Sequence, residues 1–322
     1  MFVGIVTILL VECKYSSYMS ILEWSKMRTN KRLTEAYNQA QVKYFDKDSK
    51  YIFFSDLHRG DDSISDEFSR NQALFVNALD YYYRNGYFYV EAGDGDELWE
   101  HPEFRHIRAA HTDVFTAMKR FYEEKRFIMM YGNHNIFIKN SEYVRKYYYQ
   151  FFDEYQDELK EFFPGLKPLG SLVLKQKETG QEILVVHGHQ GDLMNDQLWF
   201  INCLLLRYFW RYIHLVGFKN PSSPARNQFK RHKVEKNYTK WIAENHIMLI
   251  CGHTHRMKFP KKGQLPYFNI GCGVHTKGIT GIEIVNNEIM IVQWRMQADE
   301  GGIVRMCRNI IRGPEPITKF RF

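Results

Sequence analysis

Short apolar runs alternate with longer amphipathic stretches through most of the chain. YIFFSD (51–56) is apolar until it turns polar at its end, which predicts a buried strand. YFYVEAGD (87–94) and FIMMYGNH (127–134) repeat that form. Between them, 66–84 predicts a helix closed by Asn85-Gly86, and 104–125 predicts a second one. Residues 21–45, Lys/Glu-rich with scattered apolar positions, read as a helix, and so does a stretch near 141–161. LVLKQ and EILVV read as two strands around Glu178-Thr179-Gly180. Alternation of this kind indicates an α/β fold.

The alternation stops at 192–245, where two helical segments flank the loop NPSSPA (220–225). It resumes with IMLICGHTH (247–255) and strands near 266–270, 279–285 and 288–294. The organisation expected is therefore an N-terminal extension and helix (1–45) and a discontinuous core (46–191 and 246–294). A cap (192–245) is inserted in that core, and 295–322, which has no clear period, reads as a tail packed on the surface. The opening MFVGIVTILLV is shorter than the roughly 20 residues a bilayer span needs. It has no basic flank, so it reads as a strand or as sequence ahead of a start at Met19.

Composition is that of a globular chain, with 44 % hydrophobic and 25 % charged residues. Aromatic residues reach 16 %, which supplies large side chains for a core. The five cysteines are scattered without a Cys-x-x-Cys pair, which fits a reducing, cytoplasmic setting rather than a disulfide framework. The net charge of +7 is concentrated in one place. Residues 201–240 hold nine Lys/Arg and one acid, Glu235, a balance of +8; the other 35 basic residues face 36 acidic ones. Such a segment suits a phosphate-bearing ligand, an anionic membrane surface or nucleic acid. No recognised nucleic-acid motif accompanies it, so no nucleic-acid partner is expected, and a nucleic-acid-binding protein stays as the alternative of another class.

Five polar clusters follow strands: Asp56-Leu57-His58-Arg59-Gly60, Gly93-Asp94-Gly95-Asp96-Glu97, Gly132-Asn133-His134-Asn135, His187-Gly188-His189 and Gly252-His253-Thr254-His255. Ligands of open α/β sheets bind outside the carboxyl ends of the strands, so these clusters should share one crevice. Asp, Asn and His together suit divalent transition metals. Asp56 and His58, two apart, can grip one ion from the same side; His253 and His255 share that spacing, or a turn aims them at two ions. Each cluster alone has a bland explanation in turns and structural histidines. The three histidines His101, His106 and His111 step by five and share no helical face, so they read as surface residues.

The order of the five clusters resembles the calcineurin-like metallophosphoesterases: Asp-x-His-x-Gly, Gly-Asp-x-x-Asp/Glu, Gly-Asn-His-Asp/Glu, a later His, then Gly-His-x-His. The match runs from about residue 50 to 294. The resemblance implies an αββα sandwich of two mixed β-sheets flanked by helices, with the helical cap inserted. It implies two divalent ions, Mn²⁺ first with Fe or Zn as alternatives. Asp56, His58 and His255 would hold one ion, Asn133, His187 and His253 the other, and Asp94 would bridge them. A water bridged between the ions would act as nucleophile. His134 would protonate the leaving oxygen, oriented by Glu97. Asn135 departs from the acidic residue common after that histidine, and Glu97 from the commoner Asp. Asp96 reads as a supporting residue. Arg59, beside two ligands, could fork onto a phosphate or form a surface salt bridge; His275 could wall the site or be structural, and His189 could face it or hydrogen-bond its loop.

The cap's first helix should span 196–218. Among residues 198–218 only Asn202, Arg207, Arg211, His214 and Gly217 are not apolar, and Arg207, Arg211 and His214 fall at i, i+4 and i+7. It reads as a helix packed on the body with a solvated stripe, or as a lid. In the lid, Arg207 and Arg211 hold phosphate while Trp199, Phe209 and Trp210 line a groove for acyl chains. The insertion and GDGDELW (93–99) look like the UDP-2,3-diacylglucosamine pyrophosphatase branch, although His187-Gly188-His189 departs from its His-Gly-Asp. The expectation is a two-metal phosphohydrolase, cytoplasmic or membrane-peripheral. Its substrate would be a lipid-linked or nucleotide-linked phosphoester or pyrophosphate, with phosphoprotein or cyclic-nucleotide substrates as the alternative.

Overall fold

A computed structural model describes residues 28–153, 156–210 and 228–322. Two mixed sheets lie face to face. The first has the order β1-β7-β8-β9-β10, from Gln41–Phe45, Ser171–Gln176, Glu182–Val186, Met248–Cys251 and Tyr267–Asn269. The second has the order β13-β12-β11-β2-β3-β4, from Val304–Pro316, Glu288–Ala298, Ile279–Val285, Tyr51–Phe54, Phe88–Ala92 and Phe127–Met130. β2, β3 and β4 run parallel, as do β8, β9 and β10.

The sequence explains why both faces of each sheet are covered. The central strands, such as β2, β4, β8 and β9, are apolar at nearly every position, and alternate residues face opposite sides. On β2, Tyr51 and Phe53 enter the core between the sheets with Val90, Leu174 and Ile250, while Ile52 and Phe54 face the outer layer. That layer is formed by α2 (Gln72–Arg84) and α4 (Thr112–Glu123), through Phe75, Leu79, Phe115 and Met118. On β8, Ile183 and Val185 enter the central core. Leu184 and Val186 face α1 (residues 28–38) and α7 (Gln228–Asn245) through Leu33, Tyr238, Trp241 and Ile242. The result is the helix–sheet–sheet–helix sandwich expected.

Four expectations are corrected. Residues 21–45 are not one helix: α1 ends by 38 and β1 follows. The 104–125 helix is two, α3 (Phe104–Ala110) and α4, because the His111 ring is held between Gln72 Oε1 (2.6 Å) and Asp66 Oδ2 (2.7 Å) and its backbone leaves helical dihedrals. Beyond α5 (Ser141–Tyr148) the chain forms a hairpin, β5 (Gln150–Asp153) with β6 (Glu158–Glu161), and Phe162 and Phe163 donate back to the carbonyls of Tyr149 and Tyr148. Residues 295–322 are not a tail: β12 extends to Ala298 and β13 is the edge strand of the second sheet. Arg308 on β13 forks onto the fully buried Glu283 carboxylate of β11 (Nε–Oε1 2.6 Å), where Tyr82 also donates (2.6 Å). β13 is held by backbone pairing and this ion pair, with most of its side chains in solvent, so no apolar period marks it.

Candidate metal centre

The five clusters all lie just past the carboxyl ends of β2, β3, β4, β8 and β9, where the two sheets meet. Backbone hydrogen bonds lace their loops together: Asp56 N to Gly93 O (3.1 Å), His58 N to Asp94 O (3.0 Å) and Gly252 N to His187 O (2.7 Å). Gly93 has φ +91°, and a Cβ there would lie 2.6 Å from the His187 ring. A Cβ on Gly252 would lie 2.1 Å from Ser55 Oγ. Five site residues adopt positive φ without being glycine: Asp56 (54°), His58 (48°), Asp94 (51°), His253 (64°) and His255 (54°). Each such residue costs of order 1–3 kcal/mol, a strain retained where the surrounding structure over-determines the backbone.

The side chains converge in two groups, Asp56–His58–His255 and Asp94–His187–His253, with a third, His58–Glu97–His134, sharing His58; the ligand atoms of each lie within 4.8 Å of one another. In the first, His255 Nε2 is 3.2 Å from Asp56 Oδ1 and 3.1 Å from His58 Nε2. In the second, His187 Nε2 is 2.9 Å from Asp94 Oδ2, off the line of a hydrogen bond. Asp94 also reaches the first group, with Oδ2 4.0 Å from His58 Nε2. Asn133 sits between Gly132, packed on Asp94, and His134, whose N–H donates to Asp94 Oδ1 (2.8 Å).

The donor set fits cations. Both polar atoms of the Asn133 amide are buried without a hydrogen-bond partner, as are His187 Nε2 and His253 Nε2. A buried polar atom left unpaired costs about 1–3 kcal/mol; several converging on one spot are what cation coordination would satisfy. The metal-free charges agree. Burial opposes ionisation of Asp56, yet His255 and His187 hold its carboxyl down at about 2. His187 and His255 are raised despite their burial by Asp94 and Asp56, so protons stand among the carboxylates.

His134 lies beside both groups. Its Nδ1 is 2.8 Å from Glu97 Oε1, and its ring stacks on Trp99 (4.2 Å, 26°). Burial pulls its pKa down, but Glu97 and Asp94 outweigh this and push it up to about 9. Glu97 also holds His58, Nδ1 to Oε2 at 2.7 Å, a second role that its motif position did not reveal. Asn135 closes the turn by accepting from Gly132 N (2.7 Å), a role a carboxylate fills equally well, and its Nδ2 is buried with no hydrogen-bond partner. Asp192, overlooked in the sequence for want of any spacing signal, comes within 3.7 Å of His253 Nε2. His189 lines the same interior, and burial with His187 nearby pushes it down to about 3.

Four readings fail here. Arg59 does not reach toward a phosphate: it is fully buried, forked on Glu91 (2.6 and 2.8 Å) with Nε on Asp96 (2.8 Å). His275 is exposed, and its ring accepts from Lys277 N within its own turn. His101 and His111 are buried rather than on the surface, paired with Asp61 (3.0 Å) and Asp66 (2.7 Å); His106 is exposed as expected. Arg207 donates to the carbonyls of Trp99 (3.1 Å) and Leu98 (3.0 Å), pinning the cap to the turn after Glu97. Arg211 and the 220–225 loop lie outside the described residues. The cap's first helix is irregular, with π-turns at Leu193–Gln197 and Leu206–Trp210 around α6 (Trp199–Leu205).

A fold of two packed mixed sheets, with buried Asp, Asn and His side chains gathered at the strand ends and an imidazole beside them, defines a metal-dependent phosphohydrolase. The sequence model of the calcineurin-like phosphoesterases matches residues 49–257, and the chain belongs to that family. No curated protein matches it. Among solved structures it is similar to a predicted phosphoesterase from Streptococcus pneumoniae (14 % identity, 81 % of this chain and 97 % of that one, TM-score 0.33). It is also similar to the cold-active protein-tyrosine phosphatase of a Shewanella species (12 %, 83 % of each chain, TM-score 0.39). A third is Vps29 with zinc from Entamoeba histolytica (12 %, 82 % and 99 %, TM-score 0.34). At such scores nothing of their substrates transfers. No helix among the described residues is long and apolar enough to cross a membrane.

Proposed function

We propose that the chain hydrolyses a phosphoester or pyrophosphate bond with two divalent cations. The observation that carries this is the two ligand groups that Asp94 approaches together with the buried, orphaned Asn133 amide next to His134. Asp56, His58 and His255 would hold one cation, Asn133, His187 and His253 the other, and Asp94 would serve both. Bound cations of this kind supply Lewis acidity at the phosphoryl oxygens and lower the pKa of water. The chain's own contribution is orientation and a proton. Glu97 fixes His58 and His134 together, and Trp99 fixes the plane of the His134 ring. With Nδ1 committed to Glu97, His134 offers Nε2 to the leaving oxygen. A ligand set neither all-oxygen nor thiolate suits Mn²⁺, with Fe or Zn next.

Elemental analysis of protein reconstituted with Mn²⁺ and dialysed tests the proposal. About two ions per chain are expected from the two ligand groups; one or fewer, with all seven ligands intact, overturns it.

The cap favours a substrate met at an anionic membrane surface. Phe200, Leu204 and Tyr208 are 50, 52 and 67 % exposed, and Leu204 and Tyr208 belong to the segment that carries the +8 charge. Co-sedimentation with vesicles rich in anionic lipid, lost in Leu204→Glu, supports that placement; no binding rejects it.

A further inference from the structure

A cavity of about 780 Å³ opens beside the His134 loop. One wall is the chain that follows His134, through Phe137, Asn140 and Tyr143. The facing wall brings His189 and Gln190, and Trp199 comes from the cap. The cavity adjoins the metal centre, since the His189 ring lies 5.5 Å from that of His187. His189, which lines this wall, is 5 % exposed, and its Nδ1 is buried with no hydrogen-bond partner.

The lining specifies what that group is. Phe137 meets Trp199 edge-on (5.6 Å, 90°) and Tyr143 at 6.0 Å, so the aromatic surfaces form a continuous wall. The lining holds two cations and two carboxylates: Arg32 is forked on Asp196 (2.7 and 2.9 Å) and reaches Glu35 (3.1 Å), and Lys139 is the second cation. The remaining polar lining includes Asn140 and Gln190, whose amide oxygens already accept from Glu142 N (2.8 Å) and Gly188 N (2.9 Å), leaving the NH2 groups as donors. An acyl chain there would cover these amides without pairing them, at a cost. A ring bearing hydrogen-bonding groups would pair them and stack on the aromatic wall.

We infer that this cavity is the leaving-group subsite of the proposed phosphohydrolase, and that it takes an uncharged, hydrogen-bonding ring, a nucleobase or a sugar. The inference rests on the two-metal reading above. His134 is the residue proposed to protonate the leaving oxygen; it does not itself line the cavity, but Phe137, Asn140 and Tyr143, which follow it in the chain, form one wall.

The test uses the Mn²⁺-loaded full chain. Three substrates are compared, a nucleoside 5′-phosphate, a hexose phosphate and butyl phosphate, each also as a pyrophosphate diester. One ring-bearing substrate should exceed its butyl counterpart in kcat/KM by about tenfold or more, from the worth of one stacked ring. Which one does so identifies the ring. Phe137→Ala and Trp199→Ala should each lower that ratio by about tenfold through KM, and Trp199→Phe should restore most of it. Equal kcat/KM for ring and butyl substrates overturns the subsite alone. So do variants that lose activity on both equally, as damaged folding would. Absence of turnover on every substrate in metal-loaded protein overturns the two-metal reading and the subsite together.

Discussion

The strand-end centre and the inserted cap were both rich in candidate chemistry, yet the structure treats them differently. At the strand ends, each ligand is fixed by strand, turn and backbone hydrogen bonds before its side chain is considered. In the cap, a cationic stripe drawn on an ideal helix meets a helix broken by two π-turns. Arg207 there binds backbone carbonyls of the centre itself. Periodicity predicts well where a sheet dictates geometry, and poorly where a segment takes its shape from what it lands on.

Removal of a shared ligand should sharpen that contrast most. Asp94→Ala should abolish both metal retention and turnover, because Asp94 contacts both ligand groups and receives the His134 N–H. Turnover that survives with two ions bound would break the account. His134→Ala should keep both ions and lose about 10²–10⁴-fold in kcat, the usual worth of a general acid. That loss should shrink for substrates with good leaving groups, which need little protonation; steady-state kinetics on a leaving-group series measures it.

Arg59→Met tests a residue that supports the centre from behind. It strands Glu91 and Asp96 as buried carboxylates, and breaking a buried pair this way costs about 3–5 kcal/mol. Chemical denaturation should show that loss. A stability change near zero would mean that the arginine is not the strut its two ion pairs describe.

The reach of the sequence follows the same division. Asp56, His58, Asp94, Asn133, His134, His187, His253 and His255 were legible because five ordered motifs each follow a strand. The Arg59 misreading has a simple cause: sequence adjacency to His58 says nothing of direction, and Arg59 turns into the interior to meet Glu91 of the neighbouring strand. His111 was unreadable because its burial depends on Asp66, 45 residues away. β13 was unreadable because an edge strand in solvent shows no alternation. Asp192 needed the tertiary fold to reach His253.

Metal uptake should be proton-linked. His187 and His255 are raised above the usual histidine value by neighbouring carboxylates, so both keep their protons to higher pH than a free imidazole, and a cation must displace them where they are bound. The Asp56 carboxyl is already held low and releases none near neutral pH. Affinity for Mn²⁺ should therefore rise with pH through and above the ordinary histidine range, with net proton release on binding. Calorimetry in buffers of different ionisation enthalpy reads that release; no release, or affinity that falls as pH rises, contradicts the arrangement of charges.

The smallest effect should come from Arg207→Gln, and it bears directly on the boundary between the two regions. The guanidinium covers the carbonyls of Leu98 and Trp99, the two residues after Glu97, and Trp99 stacks on His134. Loss of this pin should loosen the stack rather than remove a substrate contact. The cost of such a half-buried bond is about 1 kcal/mol, or roughly fivefold in kcat, with KM little changed. Lys in its place offers one point charge and cannot fork across two carbonyls, so Arg207→Lys should recover only part of the loss. A phosphate-holding arginine would give the opposite split, a raised KM with kcat retained and Lys a fair substitute. A kcat effect assigns Arg207 to the catalytic turn, and a KM effect returns it to the substrate.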